Sequence, residues 1–236
     1  MQQDFDGVVR RIADMGYAGV EPFGAPDNLA EAAALYKTLG LAVPSAHVPM
    51  PVGKDEAIVL NIAEAYGLER IISGYGPDNF KTLDDIKRTC DVFNQAAKTA
   101  AENGLVFGIH NHWWEYLQVD GRYVYHIMQE LIDPSIFFQI DVYWVQVAGV
   151  DPAAVVAELS ERVLMLHIKD GPAVQEEPMT AVGDGVVDIS GVVAAGAGNA
   201  DWLVVELDRC ATDVVEAVEK SYNYLVKEGL GHGRQG

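Results

Sequence analysis

The sequence predicts an α/β fold, a (β/α) barrel of seven parallel strands in which the first strand of a closed ring is missing. Three observations predict it. Apolar runs of strand length alternate with amphipathic helical segments throughout the 236 residues, the order that yields a parallel sheet with helices outside it. The runs end in polar, chemically capable side chains, as barrel strands do on the face that carries an active site. No glycine-rich phosphate turn follows an early strand, as it usually does in the rival doubly wound sheet.

The chain opens on a helix, with Phe5, Val9, Ile12 and Met15 at helical spacing and no strand before it. "AGVEPF" at 18–23, "AVPSAHV" at 42–48 and "RIISGYG" at 70–76 read as the first three buried strands. Thr82 and Asp85 make a capping box ahead of a helix whose apolar stripe is Leu83, Ile86, Cys90, Phe93 and Ala97. "ENG" at 102–104 stops that helix, and the strand "LVFGIHNH" at 105–112 follows. "IFFQIDVYW" at 136–144 is the next strand, and Asp151-Pro152 starts another helix. "VLMLHIKD" at 163–170 and "WLVVELD" at 202–208 complete the set, and "EGLG" at 228–231 ends the last helix. No linker or low-complexity run divides the chain, so 1–236 reads as a single domain. A parallel edge left unpaired exposes backbone donors and acceptors. A homo-oligomer that covers the open edge is therefore expected.

Composition narrows the function. With 35 acidic residues against 16 lysines and arginines, the formal charge is −19, which repels phosphate backbones and anionic lipids. Nucleic acid and membrane partners are disfavoured; a neutral sugar is not. No apolar run approaches a membrane span, and the start "MQQDFDGVVRR" lacks the order of a secretory signal, so a cytoplasmic protein is expected. Cys90 and Cys210 fit no metal or redox spacing.

The strand ends carry the chemistry. Alternation turns His110 and His112 to one side and Asn111 to the other, pairs His167 with Lys169 and Glu206 with Asp208, and leaves Asp141 ending its own run. In a closed mouth these imidazoles and carboxylates make a mixed nitrogen and oxygen set, suited to one divalent ion: Mn²⁺ first, with Mg²⁺, Co²⁺ or Zn²⁺ as alternatives. Each residue alone also has a bland role: Asp141 could cap the following turn, and Glu206 could pair with Arg209 or Lys169. Buried charges without partners cost several kcal/mol each, so a shared ion is the more economical account of them together. His47 and Glu21 are candidates for substrate contact, although His47 could instead bond the neighbouring "VPMP" loop. Trp113, Trp114 and Trp144 offer an apolar wall for a sugar ring, or plain packing. Glu115 is counted with the substrate-contacting groups or as a reserve ligand.

Taken together, "IADMGYAGVEPFG", "FGIHNHWWEY", "FQIDVYWVQVAGVDP", "VLMLHIKD", "AVGDGVVD" and "WLVVELD" resemble, in order and spacing, the xylose-isomerase-like superfamily of TIM barrels, in its sugar phosphate isomerase/epimerase branch. The resemblance implies that Asp141, His167 and Glu206 bind a metal. It implies also that the fourth ligand position, usually a glutamate, falls on His110, leaving His112 to substrate or proton transfer. Ketose epimerases of the family use two glutamates for proton exchange; here Glu206 alone remains in such a position. The "HNHxxEY" variant is similar to members acting on keto-sugars or keto-inositols, dehydratases and lyases included.

The expected activity is isomerisation or epimerisation by proton abstraction beside the carbonyl of a sugar or cyclitol. Glu206 or His112 would be the base, and the other, or Lys169, the acid. Expulsion of a β-hydroxyl would instead make a dehydratase or lyase. The "GDG" loop at 183–185 has an acid at its centre and no nearby lysine or arginine, so an unphosphorylated substrate is expected. A degenerate barrel kept for binding or assembly is the non-enzymatic alternative. A nuclease of the same fold is disfavoured by the charge and by too few ligands for several zinc ions.

Overall fold

The computed structural model describes residues 4–24, 26 and 28–234. Helix α1 (Phe5–Met15) starts where Asp4 accepts a hydrogen bond from Gly7 N at 3.0 Å, and α2 (Leu29–Thr38) is capped in the same way by Asn28. Between them residues 18–23 run extended beside residues 42–47. Four backbone bonds join the two segments, Ala42 N to Ala18 O, Val20 N to Ala42 O, His47 N to Pro22 O and Gly24 N to His47 O, at 2.7–3.0 Å.

The expected first strand is thus present only as isolated bridges at Gly19 and Phe23. Its partner is a regular strand, β1, only over Ala46–His47. The reason is local. Pro22 and Pro44 have no N–H to give to a ladder, so the pairing breaks between its two good contacts.

The remaining strands pair more continuously, with one register shift at Phe138/Gln139. Helix α3 (Glu56–Tyr66) leads to β2 (Arg70–Ser73) and α4 (Leu83–Glu102) to β3 (Val106–His110). The Thr82 hydroxyl accepts from Asp85 N at 3.1 Å, as the capping box requires. A small hairpin, β4 (Gln118–Val119) and β5 (Arg122–Tyr123), turns through Asp120 and Gly121, both at positive φ (51° and 78°), as an Asp-Gly hairpin demands. After α5 (Val124–Leu131) comes β6 (Phe137–Asp141), which stops three residues before the end of the expected 136–144 and starts one residue later. Asp141 ends it by capping α6 (Val142–Val147): its Oδ1 accepts from Tyr143 N and Trp144 N, each at 3.1 Å. Then follow α7 (Pro152–Leu159), β7 (Val163–Ile168), α8 (Ile189–Gly196), β8 (Trp202–Val205) and α9 (Val214–Lys227).

Six strands form one parallel sheet in the order β1-β2-β3-β6-β7-β8, and residues 18–23 extend it beyond β1. Among the described residues no backbone hydrogen bond joins 18–23 to β8. A cavity of about 690 Å³ occupies that seam, walled by Ile12, Val20, Leu203, Val205 and Tyr222 and reaching His167 and Glu206.

Alternation sorts the ring into layers. Outward residues such as Ile71, Phe107, Ile140 and Leu166 join Ile86, Phe93 and Val155 of the helices in the main core. Inward, Ile72, Phe137 and Met165 form an apolar floor with Trp202 and Val204 packed against it. Gly108 faces that floor because a Cβ there would come within 2.3 Å of the Phe137 ring. One step further along the strands the inward residues become polar: Gln139 and Asp141 on β6, His110 on β3 and His167 on β7. No helix among the described residues is long and apolar enough to cross a membrane.

Candidate metal and substrate site

The polar layers above the floor converge. Ligand atoms of Asp141, His167 and Glu206 lie within 4.8 Å of one another, and so do those of His47, His110 and His167. His167 is common to both groups. Its Nδ1 is 2.7 Å from Glu206 Oε2, and its Nε2 is 2.6 Å from Glu21 Oε1. Burial opposes a charge on this ring, but the flanking carboxylates outweigh burial and raise its pKa to about 9. Burial likewise pushes the Glu21 and Glu206 carboxyls up, and their contacts with His167 overcome it, so both are held well below the usual range.

Asp141 is divided in use. Oδ1 caps α6, while Oδ2 is buried and accepts no hydrogen bond. Lys169 Nζ stands 2.9 Å from Oδ2, close enough for an ion pair although not aligned as a hydrogen bond. The same ammonium lies 2.7 Å from Glu206 Oε2 and 2.9 Å from Asp208 Oδ2. Lys169 is 1 % exposed; burial works against its charge, and the three carboxylates more than restore it. Burial raises the Asp141 carboxyl above its ordinary value, the attraction of Lys169 opposing that rise.

The donor set fits a divalent cation. Asp141 Oδ2 is a buried oxygen that accepts no hydrogen bond and has the Lys169 ammonium beside it, His167 Nδ1 and Glu206 Oε2 lie 2.7 Å apart, and His110 Nε2 approaches Asp141 Oδ2 at 3.8 Å. The second nitrogen of each imidazole is held by a carboxylate or an amide oxygen: His167 Nε2 by Glu21, His110 Nδ1 by Gln139 Oε1 at 2.9 Å. That support is usual for metal-binding histidine. His47 Nε2 is turned instead on Gln139 Oε1 (2.8 Å) and Glu21 Oε1 (3.2 Å).

Residues expected at the substrate separate into two places. Glu21, its side chain 3 % exposed, lies beneath the cluster and bonds His167, His47, Gln139 and Ser45. His47 shares that lower layer. On the other side His112 stacks on Trp114 (centroids 4.2 Å apart, 10° between planes) and lies 5.0 Å from the His110 ring. Trp113 and Trp144 close the same wall, 5.1 Å apart. His112 Nδ1 is buried without a partner, and burial, with the nearby Lys169 charge, lowers the pKa to about 4. The Trp114 indole donates to Tyr75 O at 3.1 Å. Glu115 does not turn to the cluster; its Oε2 accepts from His112 N at 2.9 Å. Asn111 stays in the scaffold, accepting from Asp141 N at 2.9 Å.

Glu115 gives a pH prediction. Burial raises its carboxyl to about 8, so the folded chain keeps a proton that the unfolded chain releases near 4.5. The stability tied to that proton is whole below pH 4.5 and falls by up to about 1.4 kcal/mol per unit as the pH rises toward 8. Glu115→Gln, with the same acceptor oxygen, is expected to flatten this fall in urea titrations at pH 5 and pH 8.

Gln139 escaped the sequence reading, although it sits two residues before Asp141 and so shares its face. Asp170 was missed as well. Its Oδ1 accepts from Gly171 N (2.8 Å) and Val187 N (3.1 Å), and its Oδ2 from Gly183 N (2.9 Å) and Gly185 N (3.1 Å). The amides of the "GDG" loop are thereby turned inward onto a carboxylate of the protein itself.

Comparison with known proteins identifies the family and the fold. The profile of the family described as xylose isomerase-like TIM barrel matches residues 9–227. A search of curated proteins gives no match. Among solved structures, a sugar phosphate isomerase/epimerase from Parabacteroides distasonis superposes with a TM-score of 0.83 at 23% identity, covering 97% of this chain and 90% of its own. The probable 3-DHS dehydratase AsbF of Bacillus anthracis gives 0.74 at 12% identity, covering 94% and 93%. The IOLI protein with a bound zinc atom gives 0.72 at 15% identity, covering 94% and 92%. At such identities the likeness is one of fold. With the profile spanning nearly its whole length, the chain belongs to the xylose isomerase-like TIM barrel family.

Proposed function

We propose that this protein is a divalent-metal-dependent isomerase or epimerase acting on an unphosphorylated sugar, keto-sugar or cyclitol. The observation that carries the reading is the buried Asp141 Oδ2, which accepts no hydrogen bond and lies clustered with His167 and Glu206 and 3.8 Å from His110 Nε2. Those four residues would hold the ion. Bound there, the cation would polarise a carbonyl and offset the negative charge that develops beside it.

The protein's own groups divide the proton work. His112 is neutral at pH 7, and its unpartnered Nδ1 suits a base. Lys169 is held charged and is the candidate acid, its carboxylate neighbours having to loosen their hold before the proton leaves. Glu206 is ionised and serves as ligand, with a second role as base on the opposite side. The His112, Trp113, Trp114 and Trp144 wall matches the apolar face of a sugar ring. Asp170 supports an unphosphorylated substrate, because it already occupies the loop amides that a phosphate would need.

A dehydratase or lyase would use the same groups, with Lys169 giving its proton to a departing hydroxyl; the resemblance of fold to a protein named as a dehydratase keeps that reading beside the first. Protein stripped of metal and titrated with Mn²⁺ is expected to take up about one equivalent. Incubation of the loaded protein with keto-sugars in D₂O is expected to place deuterium on the carbon next to the carbonyl. Loss of water from the product identifies the dehydratase. Absence of ion uptake overturns both readings in favour of a barrel kept for binding or assembly.

The pKa of His167 sets the pH dependence. The ion must displace a proton held with a pKa of about 9, so apparent affinity is expected to rise about tenfold per pH unit from 7 toward 9 and then level. Calorimetry at three pH values measures it.

A further inference from the structure

We propose that Gln139 is a positioning residue that decides which nitrogen of His110 faces the cation. The inference rests on the metal reading above and deepens it.

The side chain is fully buried on the inner face of β6, directly before Asp141 in the same column. It touches three groups. Its Nε2 donates to Glu21 Oε2 at 2.7 Å, and its Oε1 meets His47 Nε2 at 2.8 Å and His110 Nδ1 at 2.9 Å. Glu21 fixes the amide's orientation. That carboxylate receives hydrogen bonds from Ser45, His167 and Gln139, and an ionised carboxylate is an acceptor only. The NH₂ end of Gln139 must therefore point at Glu21, which turns the oxygen to the two imidazoles.

An amide oxygen cannot donate, so both imidazoles must do so. His47 carries its proton on Nε2 and His110 on Nδ1. The remaining nitrogen of His110, Nε2, is then a lone pair aimed at the gap beside Asp141 Oδ2, 3.8 Å away. His47 has the opposite tautomer, its Nε2 hydrogen held on Gln139, which removes that nitrogen from the ligand set. A single amide thus separates one candidate ligand from the other, although the three histidines His47, His110 and His167 lie close enough to share an ion.

The test is ¹⁵N NMR of the imidazoles in the metal-free protein at pH 7.5, alongside Mn²⁺ and Zn²⁺ titrations of the same samples. The wild type is expected to show His110 protonated at Nδ1 and His47 at Nε2. Gln139→Leu is expected to mix the two forms of His110 and weaken ion binding about 10- to 100-fold, the range for loss of a group that orients a ligand. Gln139→Glu keeps the accepting oxygen and, protonated against Glu21, can still donate to it; it is expected to restore both the tautomer and most of the affinity. The NMR result on the wild type needs no variant to fold. His110 found protonated at Nε2, or a Leu variant with unchanged tautomer and affinity, overturns the proposal. A wild type with the expected tautomers that binds no ion leaves the histidine assignment standing and overturns the metal reading instead.

Discussion

Asp141→Asn is expected to remove divalent-cation binding while leaving the fold in place. The two oxygens of Asp141 have separate tasks, and the substitution divides them. An asparagine oxygen can keep accepting from Tyr143 N and Trp144 N, so α6 retains its cap. The charge on the other atom is lost, and an NH₂ group takes the place of Oδ2 next to Lys169. Affinity for Mn²⁺ is expected to fall by more than the roughly 100-fold that follows loss of an orienting partner, with turnover falling alongside it. Circular dichroism unchanged beside a lost calorimetric signal would be the expected pair of results. Binding that survives would move the ion away from Asp141, and with it the proposed chemistry.

Asp170→Ala is expected to be the most destabilising single change away from the cluster. The carboxylate is 1 % exposed and receives four backbone N–H groups. The bonds from Gly171 and Val187 are buried, and each such amide left without an acceptor costs about 1–3 kcal/mol, so with a smaller share from the exposed Gly183 and Gly185 the sum is on the order of 4 kcal/mol. For a chain of this size each kcal/mol moves the melting temperature by about 2–4 °C, and a drop of roughly 8–15 °C is expected. Space makes matters worse for substitutions nearby: a Cβ on Gly185 would lie 2.0 Å from Asp170 Oδ1. Differential scanning calorimetry measures the drop. A shift of only a degree or two would mean that the loop finds other acceptors, and the argument against phosphate at those amides would weaken with it.

How much was legible beforehand depended on the kind of signal. The apolar bodies of β2, β3, β6, β7 and β8 announce themselves, and their polar ends follow from counting alternate residues. Two strand boundaries did not. "IFFQIDVYW" looks continuous because Val, Tyr and Trp suit a strand as well as a buried helix; the cap by Asp141 decides, and a cap is a matter of backbone geometry. Pro22 and Pro44 were visible, yet their effect on pairing depends on which edge their missing N–H groups face. The Asp120-Gly121 turn carried a readable hairpin signal that the strand count passed over. At the site, alternation from Asp141 would have reached Gln139, but an uncharged amide draws no attention until its neighbours are known. Glu21 and His47 were expected at the substrate. Their place under the cluster comes from contacts spanning more than a hundred residues, such as Glu21 with Gln139 and His167, which no local pattern encodes.

The seam between 18–23 and β8 gives one of these contacts a mechanical meaning. Glu21 stands on one lip and Glu206 on the other, and the two nitrogens of His167 fasten them together at 2.6 and 2.7 Å. Where a closed barrel has a hoop of backbone bonds, this one has a buckle made of a single imidazole. Whatever pries the lips apart must stretch or break those two hydrogen bonds, so a change at the seam is felt directly at His167.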